Sequence, residues 1–189
     1  MIKDGIAIVD NFLTKEQFNF LHYHILGDGN ENLKWNFRDF TVGLNPEELE
    51  NKDSYQFTNL VFYKNRIYNE EFFNNLIPLF EQRLEIEHWL KIKLNFRPIG
   101  KKIETGLHND LLHEDGFMFL TAVFYLNDNN GYTEIITKKS EKVKVESVEN
   151  RCVIFRGDLF HQAVTSDDNH RIVLNINFLN KEVINFYKS

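Results

Sequence analysis

The chain has 189 residues, of which 42% are hydrophobic and 26% are charged, and its formal net charge is −6. The length predicts one domain with a substantial core, and the acidic balance argues against general binding to nucleic acids. The single cysteine, Cys152, excludes an intrachain disulfide and suits a reducing cytoplasm, while its apolar neighbours predict a buried structural thiol.

We expect a cytoplasmic protein, because the sequence shows neither a signal peptide nor the roughly 20 consecutive apolar residues of a membrane span. Its richness in Asn, Lys, Ile and Phe is typical of an AT-rich genome and hints at a phage or bacterial source.

The first half of the chain predicts a short strand followed by helices. Ile6–Val9 has strand character, and Thr14 followed by Gln17 matches a capping box at the start of a helix. Asn69 predicts the start of a long helix whose apolar face runs from Phe72 to Trp89. The polar stretch 27–56, with Trp35, Phe37 and Arg38, is either a lid or packing over the sheet edge.

From about residue 91 the hydrophobic period changes from 3.6 to 2, which predicts strands. Six segments have this pattern: 91–97, 119–126, 133–137, 143–145, 152–155 and 171–178. The fold class is therefore α+β and mainly β, with N-terminal helices packed on a β-sandwich or jelly roll. We assign 1–90 to helical support with a candidate lid, and 91–189 to the β core, within one domain, 1–189.

Two copies of a His-x-Asp pattern stand close together, at 108–110 and 113–115. Residues i and i+2 of a strand point to the same face, so either copy could present two ligands to one metal ion. Asp115 precedes Gly116 just before an apolar strand, and a turn explains it most simply. This favours His108 and Asp110 as ligands, and it leaves His113 and Asp115 open as the alternative.

A third histidine and an arginine lie near the C-terminal end. His161 follows the turn signal at 157–158, and we expect it in a loop. Arg171 begins a strand on which Arg171, Val173, Asn175 and Asn177 share one face and apolar residues the other. That polar face either meets solvent or lines a ligand pocket, where an arginine needs an anionic partner. Two histidines and one carboxylate suit non-haem Fe(II) with open coordination positions, and they also suffice for Zn(II).

Together these segments resemble the Fe(II)/2-oxoglutarate-dependent dioxygenase superfamily, and within it the small prolyl-4-hydroxylase-like proteins of bacteria and phages. The resemblance covers about residues 92 to 179, and its matching segments are 106–110, 121–133, 145–155 and 161–178. The fold that it implies is a double-stranded β-helix.

The resemblance implies His108, Asp110 and His161 as iron ligands and Arg171 as the partner of the 2-oxoglutarate C5 carboxylate. It also implies a co-substrate contact from Tyr125, whose alternative role is that of a core aromatic, and a polar contact from Asn175. The implied activity is hydroxylation of an unidentified substrate, which includes prolyl or peptide hydroxylation. It consumes O2 and converts 2-oxoglutarate to succinate and CO2.

The sequence departs from the resemblance at two positions. Val173 stands where many relatives have a serine, and Arg97 precedes Pro98 where relatives often have a tyrosine. Arg97 is therefore either a pocket residue or a surface charge. The rival functions are a non-catalytic ligand- or peptide-binding module on the same fold, a cupin-like metalloenzyme and a zinc hydrolase. The choice between a small-molecule and a peptide substrate stays open, as does the oligomeric state.

Overall fold

The computed structural model describes residues 5–27, 33–39, 55–111 and 118–183 of the chain. None of the helices in these ranges combines the length and the apolar character that crossing a membrane requires. The elements in chain order are β1 (Ile6–Val9), α1 (Lys15–Leu26), β2 (Asn36–Arg38), β3 (Gln56–Tyr63), β4 (Arg66–Ile67), α2 (Glu70–Leu76), α3 (Pro78–Leu84), β5 (Ile86–Arg97), β6 (Leu120–Tyr125), β7 (Tyr132–Ile136), β8 (Lys142–Glu146), β9 (Cys152–Arg156), β10 (His161–Val164) and β11 (Arg171–Asn180).

Helix α1 begins at the capping box that the sequence predicts. The Thr14 hydroxyl accepts a hydrogen bond from the Gln17 backbone N–H, and the Gln17 side chain accepts one from the Thr14 N–H. Two backbone donors that the first helical turn leaves unpaired are thereby satisfied. The helix then buries Phe18, Leu21 and Ile25 against the sheet.

The single long helix predicted after Asn69 is wrong, because the structure breaks it twice. Asn69 does cap α2, but α2 ends at Leu76 and Pro78 begins α3. A proline has no N–H to continue the hydrogen-bond ladder, and it suits the first turn of a new helix. Glu85 then adopts the left-handed conformation with φ 51° and ends α3, so Trp89 lies on β5.

Two antiparallel sheets form the β core. The larger sheet has the order β1-β9-β6-β11-β5-β3-β2, and the smaller has the order β10-β7-β8. Isolated bridges join Glu104 to Val164 and His108 to His161, so the segment 103–108 lies beside β10 as a further member of the smaller sheet. From β5 onward the chain passes repeatedly between the two facing sheets, with β7 and β8 paired as a hairpin in the smaller one, which is the predicted double-stranded β-helix. The prediction of the fold class is confirmed.

Apolar side chains form two cores, one on each face of the larger sheet. The first lies between that sheet and the helices, and the second lies between the two sheets. Ile172, Leu174, Ile176 and Phe178 of β11 belong to the first core, together with Cys152. Burial raises the pKa of the Cys152 thiol far above its usual value, which agrees with the predicted structural role. The opposite face of β11 is left to line the interior between the sheets.

Candidate metal centre and adjoining pocket

His108, Asp110 and His161 converge, with ligand atoms that all lie within 4.8 Å of one another. The two histidines are directly opposite each other, because each backbone N–H donates to the other's carbonyl oxygen, at 2.9 and 3.0 Å. Side chains of such a pair project from the same face of a sheet, and the two ring centroids are 4.7 Å apart. His161 therefore lies on strand β10 and is only 5% exposed, so its predicted loop position is wrong.

Both imidazole rings are oriented as metal ligands usually are. The Nδ1 of His108 lies 3.0 Å from the carbonyl oxygen of Gly106, and the Nδ1 of His161 lies 3.5 Å from that of Leu159. A proton held on Nδ1 by a backbone carbonyl leaves the Nε2 lone pair for a metal ion. Gly106 has φ 84°, a left-handed conformation that glycine adopts at no steric cost. Burial lowers the pKa of His161, and this favours the neutral ligand form.

Hydrogen-bond donors and cations surround the Asp110 carboxylate, whose side chain is 5% exposed. The Asn175 amide donates to its two carboxylate oxygens at 3.0 and 3.2 Å, and the Asn177 amide donates to one of them at 2.9 Å. Lys91 donates to the Asp110 backbone carbonyl at 3.1 Å. Burial acts to raise the pKa of Asp110, but His161, Lys91, His108 and the bond from Asn177 outweigh it and hold that pKa well below its usual value. The side chain is therefore an ionised carboxylate.

These donors fit a divalent metal ion such as Fe(II). The cluster offers two imidazole nitrogens and one carboxylate, which is the set typical of non-haem iron with positions left for other ligands. His108 and His161 each have a backbone carbonyl behind the ring, and Asp110 has two amides behind the carboxylate. Such outer partners orient metal ligands and tune their basicity.

Arg171 is a buried cation that makes its hydrogen bonds with hydroxyl groups. Its Nη2 donates to Thr133 Oγ1 at 2.9 Å and its Nε to Ser147 Oγ at 3.3 Å. The guanidinium carbon lies 5.5 Å from the centroid of the Tyr125 ring. Burial lowers the pKa of Arg171, and within the described ranges no carboxylate pairs with it. An uncompensated buried guanidinium is costly, and a bound carboxylate would match its planar set of donors.

The hydroxyl of Thr133 connects Tyr125 and Arg171, and sequence reasoning missed it. Thr133 Oγ1 accepts from the Tyr125 hydroxyl at 2.7 Å as well as from Arg171. Because both partners donate to this oxygen, the threonine proton is left to donate elsewhere. Thr133 faces the pocket, whereas Tyr125 is fully buried behind it. Tyr125 is thus a core aromatic that contacts the arginine, and its predicted contact with the co-substrate stays a prediction.

One cavity of about 100 Å³ joins the candidate metal ligands to Arg171. It is much larger than the roughly 10–15 Å³ that a single water molecule needs. Its walls come from both sheets and include His108, Asp110, Thr133, His161 and Arg171. The polar face of β11 therefore lines a pocket, with Arg171, Val173 and Asn175 all contributing.

Strand β5 forms a further wall of this pocket. Lys91, Lys93, Asn95 and Arg97 alternate along it and all line the cavity. Arg97 is only 8% exposed, so it is a pocket residue and not a surface charge. Burial and the neighbouring charge of Lys91 lower the pKa of Lys93 to about 8. The alternation of polar residues between 91 and 97 marks this face of the strand in the sequence, but it does not distinguish a pocket wall from a face exposed to solvent.

Two predictions fall wholly or partly outside the described residues. The alternative ligands His113 and Asp115 lie there, as does most of the candidate lid, 27–56. Of that segment Trp35 contacts the Phe96 ring, with a centroid separation of 5.6 Å, and Phe37 is exposed. The packing alternative therefore applies at Trp35.

No protein-family model and no curated protein match the chain. Solved structures do. A prolyl-4-hydroxylase from Pseudomonas putida has 17% identity and a TM-score of 0.62, over 94% of this chain and 93% of that one. A prolyl hydroxylase from Trichoplax adhaerens, in complex with a peptide fragment of the hypoxia inducible factor oxygen degradation domain, has 14% identity and a TM-score of 0.62, over 97% and 87%.

The epimerase SnoN, solved with Fe3+, alpha ketoglutarate and nogalamycin RO, has 12% identity and a TM-score of 0.66, over 94% of this chain and 79% of that one. The chain therefore has the double-stranded β-helix fold of 2-oxoglutarate/Fe(II) oxygenases. Prolyl-4-hydroxylases are among the structures that share this fold with it, as the resemblance in the sequence predicts.

Proposed function

We propose that the protein is an Fe(II)- and 2-oxoglutarate-dependent dioxygenase that hydroxylates a substrate. The observation that carries this proposal is that two features line the same pocket. One is a cluster of two histidines and one carboxylate, and the other is a buried arginine without a carboxylate partner in the described ranges. A generic metal site accounts for the first feature and leaves the second unexplained.

Each proposed role follows from a contact in the pocket. His108 and His161 bind the metal through Nε2, and Asp110 binds it through its ionised carboxylate, held by Asn175 and Asn177. Arg171 pairs with the C5 carboxylate of 2-oxoglutarate. Thr133 and Tyr125 orient Arg171, and the Thr133 hydroxyl has a proton to donate to that carboxylate.

Fe(II), 2-oxoglutarate and O2 together supply the oxidation of a C–H bond, with conversion of 2-oxoglutarate to succinate and CO2. The protein binds and orients these groups and excludes water from them. Val123, Ala163 and Val173 provide the apolar part of the pocket wall. Neither an acid nor a base from the protein is required for this role.

The substrate class is the finer part of the proposal. A peptide is supported by the Trichoplax prolyl hydroxylase, which was solved with a bound peptide fragment. A small molecule is supported by SnoN, which was solved with nogalamycin RO. Hydroxylation of a peptidyl proline is accordingly one form of the proposed activity and a small-molecule hydroxylation is the other.

Succinate formation tests the proposal. Purified protein with Fe(II), 2-oxoglutarate and O2 is expected to form succinate, slowly without a substrate, and to stop when any one of the three is withheld. His108→Ala and Arg171→Ala are each expected to abolish it, while Lys144→Met on the exposed strand β8 keeps it. Calorimetry with Mn(II) and then N-oxalylglycine, an inert analogue of 2-oxoglutarate, provides a second readout. Absence of binding in both titrations would instead support a non-catalytic binding module.

A further inference from the structure

Two neighbouring polar side chains on the β5 wall have no hydrogen-bond or ion-pair partner in the described part of the chain. They are Lys93 and Asn95, which project from the same face of the strand and both line the pocket. The Oδ1 of Asn95 is buried and accepts no hydrogen bond. Buried polar groups are nearly always paired in native proteins, and the donors of this pair, the Lys93 ammonium and the Asn95 amide NH2, face the pocket without an acceptor from the described residues. These two donors point to a ligand that accepts hydrogen bonds.

The charge of the pocket points to the kind of ligand. Lys91, Lys93, Arg97 and Arg171 line the cavity against one carboxylate, Asp110, a formal excess of three positive charges. If Arg97 is left out of this count, the pocket still has an excess of two positive charges. Fe(II) and the dianion of 2-oxoglutarate cancel each other's charge, so they leave the excess unchanged. The chain as a whole has a net charge of −6. The positive charge of the pocket is therefore opposite in sign to the net charge of the protein.

Strand register places Lys93 near the metal end of the pocket. Lys93 is the direct cross-strand neighbour of Asn175, whose amide donates to Asp110. Arg171 is instead paired with Arg97, two cross-strand steps further along the same strands. Because alternate residues of a strand are about 7 Å apart, the backbone of Lys93 lies well toward the metal ligands from the position at which Arg171 enters the pocket.

We propose that Lys93 and Asn95 form a subsite that binds an anionic oxygen group, a carboxylate or a phosphate, on the primary substrate. This inference rests on the proposed function, since it presumes that Arg171 is taken by 2-oxoglutarate. Lys93 supplies the charge, and the Asn95 amide supplies a hydrogen bond beside it. The substrate is therefore an acid, and its reacting carbon is held next to the metal by this contact.

The positive charge of the β5 wall also explains how substrates would be selected. A neutral isostere leaves the Lys93 ammonium desolvated and unpaired when it closes the pocket, whereas an anion compensates it. A cationic substrate would add to the excess of positive charge and is excluded. Lys93 and Asn95 are thus specificity-determining residues.

Paramagnetic relaxation tests this subsite directly. Protein loaded with Mn(II) and saturated with N-oxalylglycine is mixed with acetate, methyl phosphate or acetamide, and the Mn(II)-induced relaxation of the probe methyl protons is measured. Acetate and acetamide have nearly the same shape and differ in charge. We expect one of the two anions to bind roughly tenfold more tightly than acetamide, as a charge-assisted hydrogen bond implies. Which anion binds better identifies the source of the negative group.

Two variants make the result specific to Lys93. Lys93→Met is expected to reduce anion binding to the level of acetamide and to leave N-oxalylglycine affinity within about twofold. Lys144→Met removes an exposed lysine from β8 and is expected to change neither. Equal relaxation by anions and acetamide in the wild type overturns the subsite. A tenfold loss of N-oxalylglycine affinity in Lys93→Met also overturns it, since Lys93 would then serve the co-substrate. Failure to bind Mn(II) or N-oxalylglycine at all contradicts the proposed function itself.

Discussion

The side-chain amide of Asn175 donates to both carboxylate oxygens of Asp110, at 3.0 and 3.2 Å. The resemblance in the sequence implies that Asn175 contacts the co-substrate, and that role stays a prediction. The geometry supports a different one, in which Asn175 holds a metal ligand in place. The two roles make opposite predictions for a single substitution.

We expect Asn175→Ala to weaken Mn(II) binding by about 10- to 100-fold, the usual effect of losing an outer partner of a metal ligand. N-oxalylglycine binding to protein saturated with Mn(II) is expected to stay the same. Titration calorimetry measures both affinities. Asn74→Ala is a matched control, because Asn74 is exposed on α2. If N-oxalylglycine affinity falls and Mn(II) affinity does not, Asn175 contacts the co-substrate.

Thr133 accepts hydrogen bonds from both Tyr125 and Arg171. Thr133→Val would leave two buried donors unpaired at similar side-chain volume, so we expect a loss of roughly 1–3 kcal/mol in the free energy of unfolding. The rise in melting temperature that N-oxalylglycine produces should shrink as well. Thr133→Ser keeps the hydroxyl and serves as the control. Equal behaviour of the two variants would show that the hydroxyl does not orient Arg171.

Lys93 has a pKa lowered to about 8 by burial, and this gives a pH dependence of defined sign. Below pH 8 both the folded and the unfolded chain hold the proton, and the desolvation cost is fully present. Between about pH 8 and 10.5 the unfolded chain binds more protons, so stability rises with pH. Relative to Lys93→Met, metal-free wild type should gain roughly 1–3 kcal/mol across this window. Denaturant unfolding at several pH values measures it, and a constant difference would contradict the burial of the ammonium.

Gly157 lies in the turn between β9 and β10, directly against a buried phenylalanine. A Cβ atom at this position would lie 2.1 Å from Cζ of Phe119 and 2.2 Å from Cε2. We expect Gly157→Ala to cost about 1–3 kcal/mol or more in unfolding free energy, because the ring is fully buried and overpacking strains a close-packed core. At Gly100 an added Cβ meets nothing within 4 Å, and Gly100→Ala should change stability by less than about 0.5 kcal/mol. Similar losses in both variants would contradict this packing.

The sequence predicts the strands and the face of β11 well, since the alternation of Ile172, Leu174 and Ile176 with Arg171 is a local pattern. The sequence fails to predict a strand where pairing with other segments determines the backbone conformation. His161 looks like a loop residue because β10 has only four residues and owes its strand form to pairing with β7 and with the segment at His108. The cytoplasmic location, the single domain and the phage or bacterial source stay predictions.

The β5 wall was missed for a related reason. Lys91, Lys93 and Asn95 have the alternation of an ordinary half-exposed strand, and nothing local distinguishes a solvent face from a pocket face. This face becomes a pocket wall only because the second sheet covers these side chains. Arg97, beside Pro98, was the one residue of the wall that the sequence singled out.

In the proposed function, His108, Asp110 and His161 hold the metal while Arg171 holds the co-substrate. A crystal structure with Mn(II) and N-oxalylglycine, with anomalous scattering to locate the manganese, tests it most directly. We expect one manganese peak among these three side chains and the distal carboxylate of N-oxalylglycine on the guanidinium of Arg171. A peak at His113 and Asp115, or a distal carboxylate that does not contact Arg171, would contradict it.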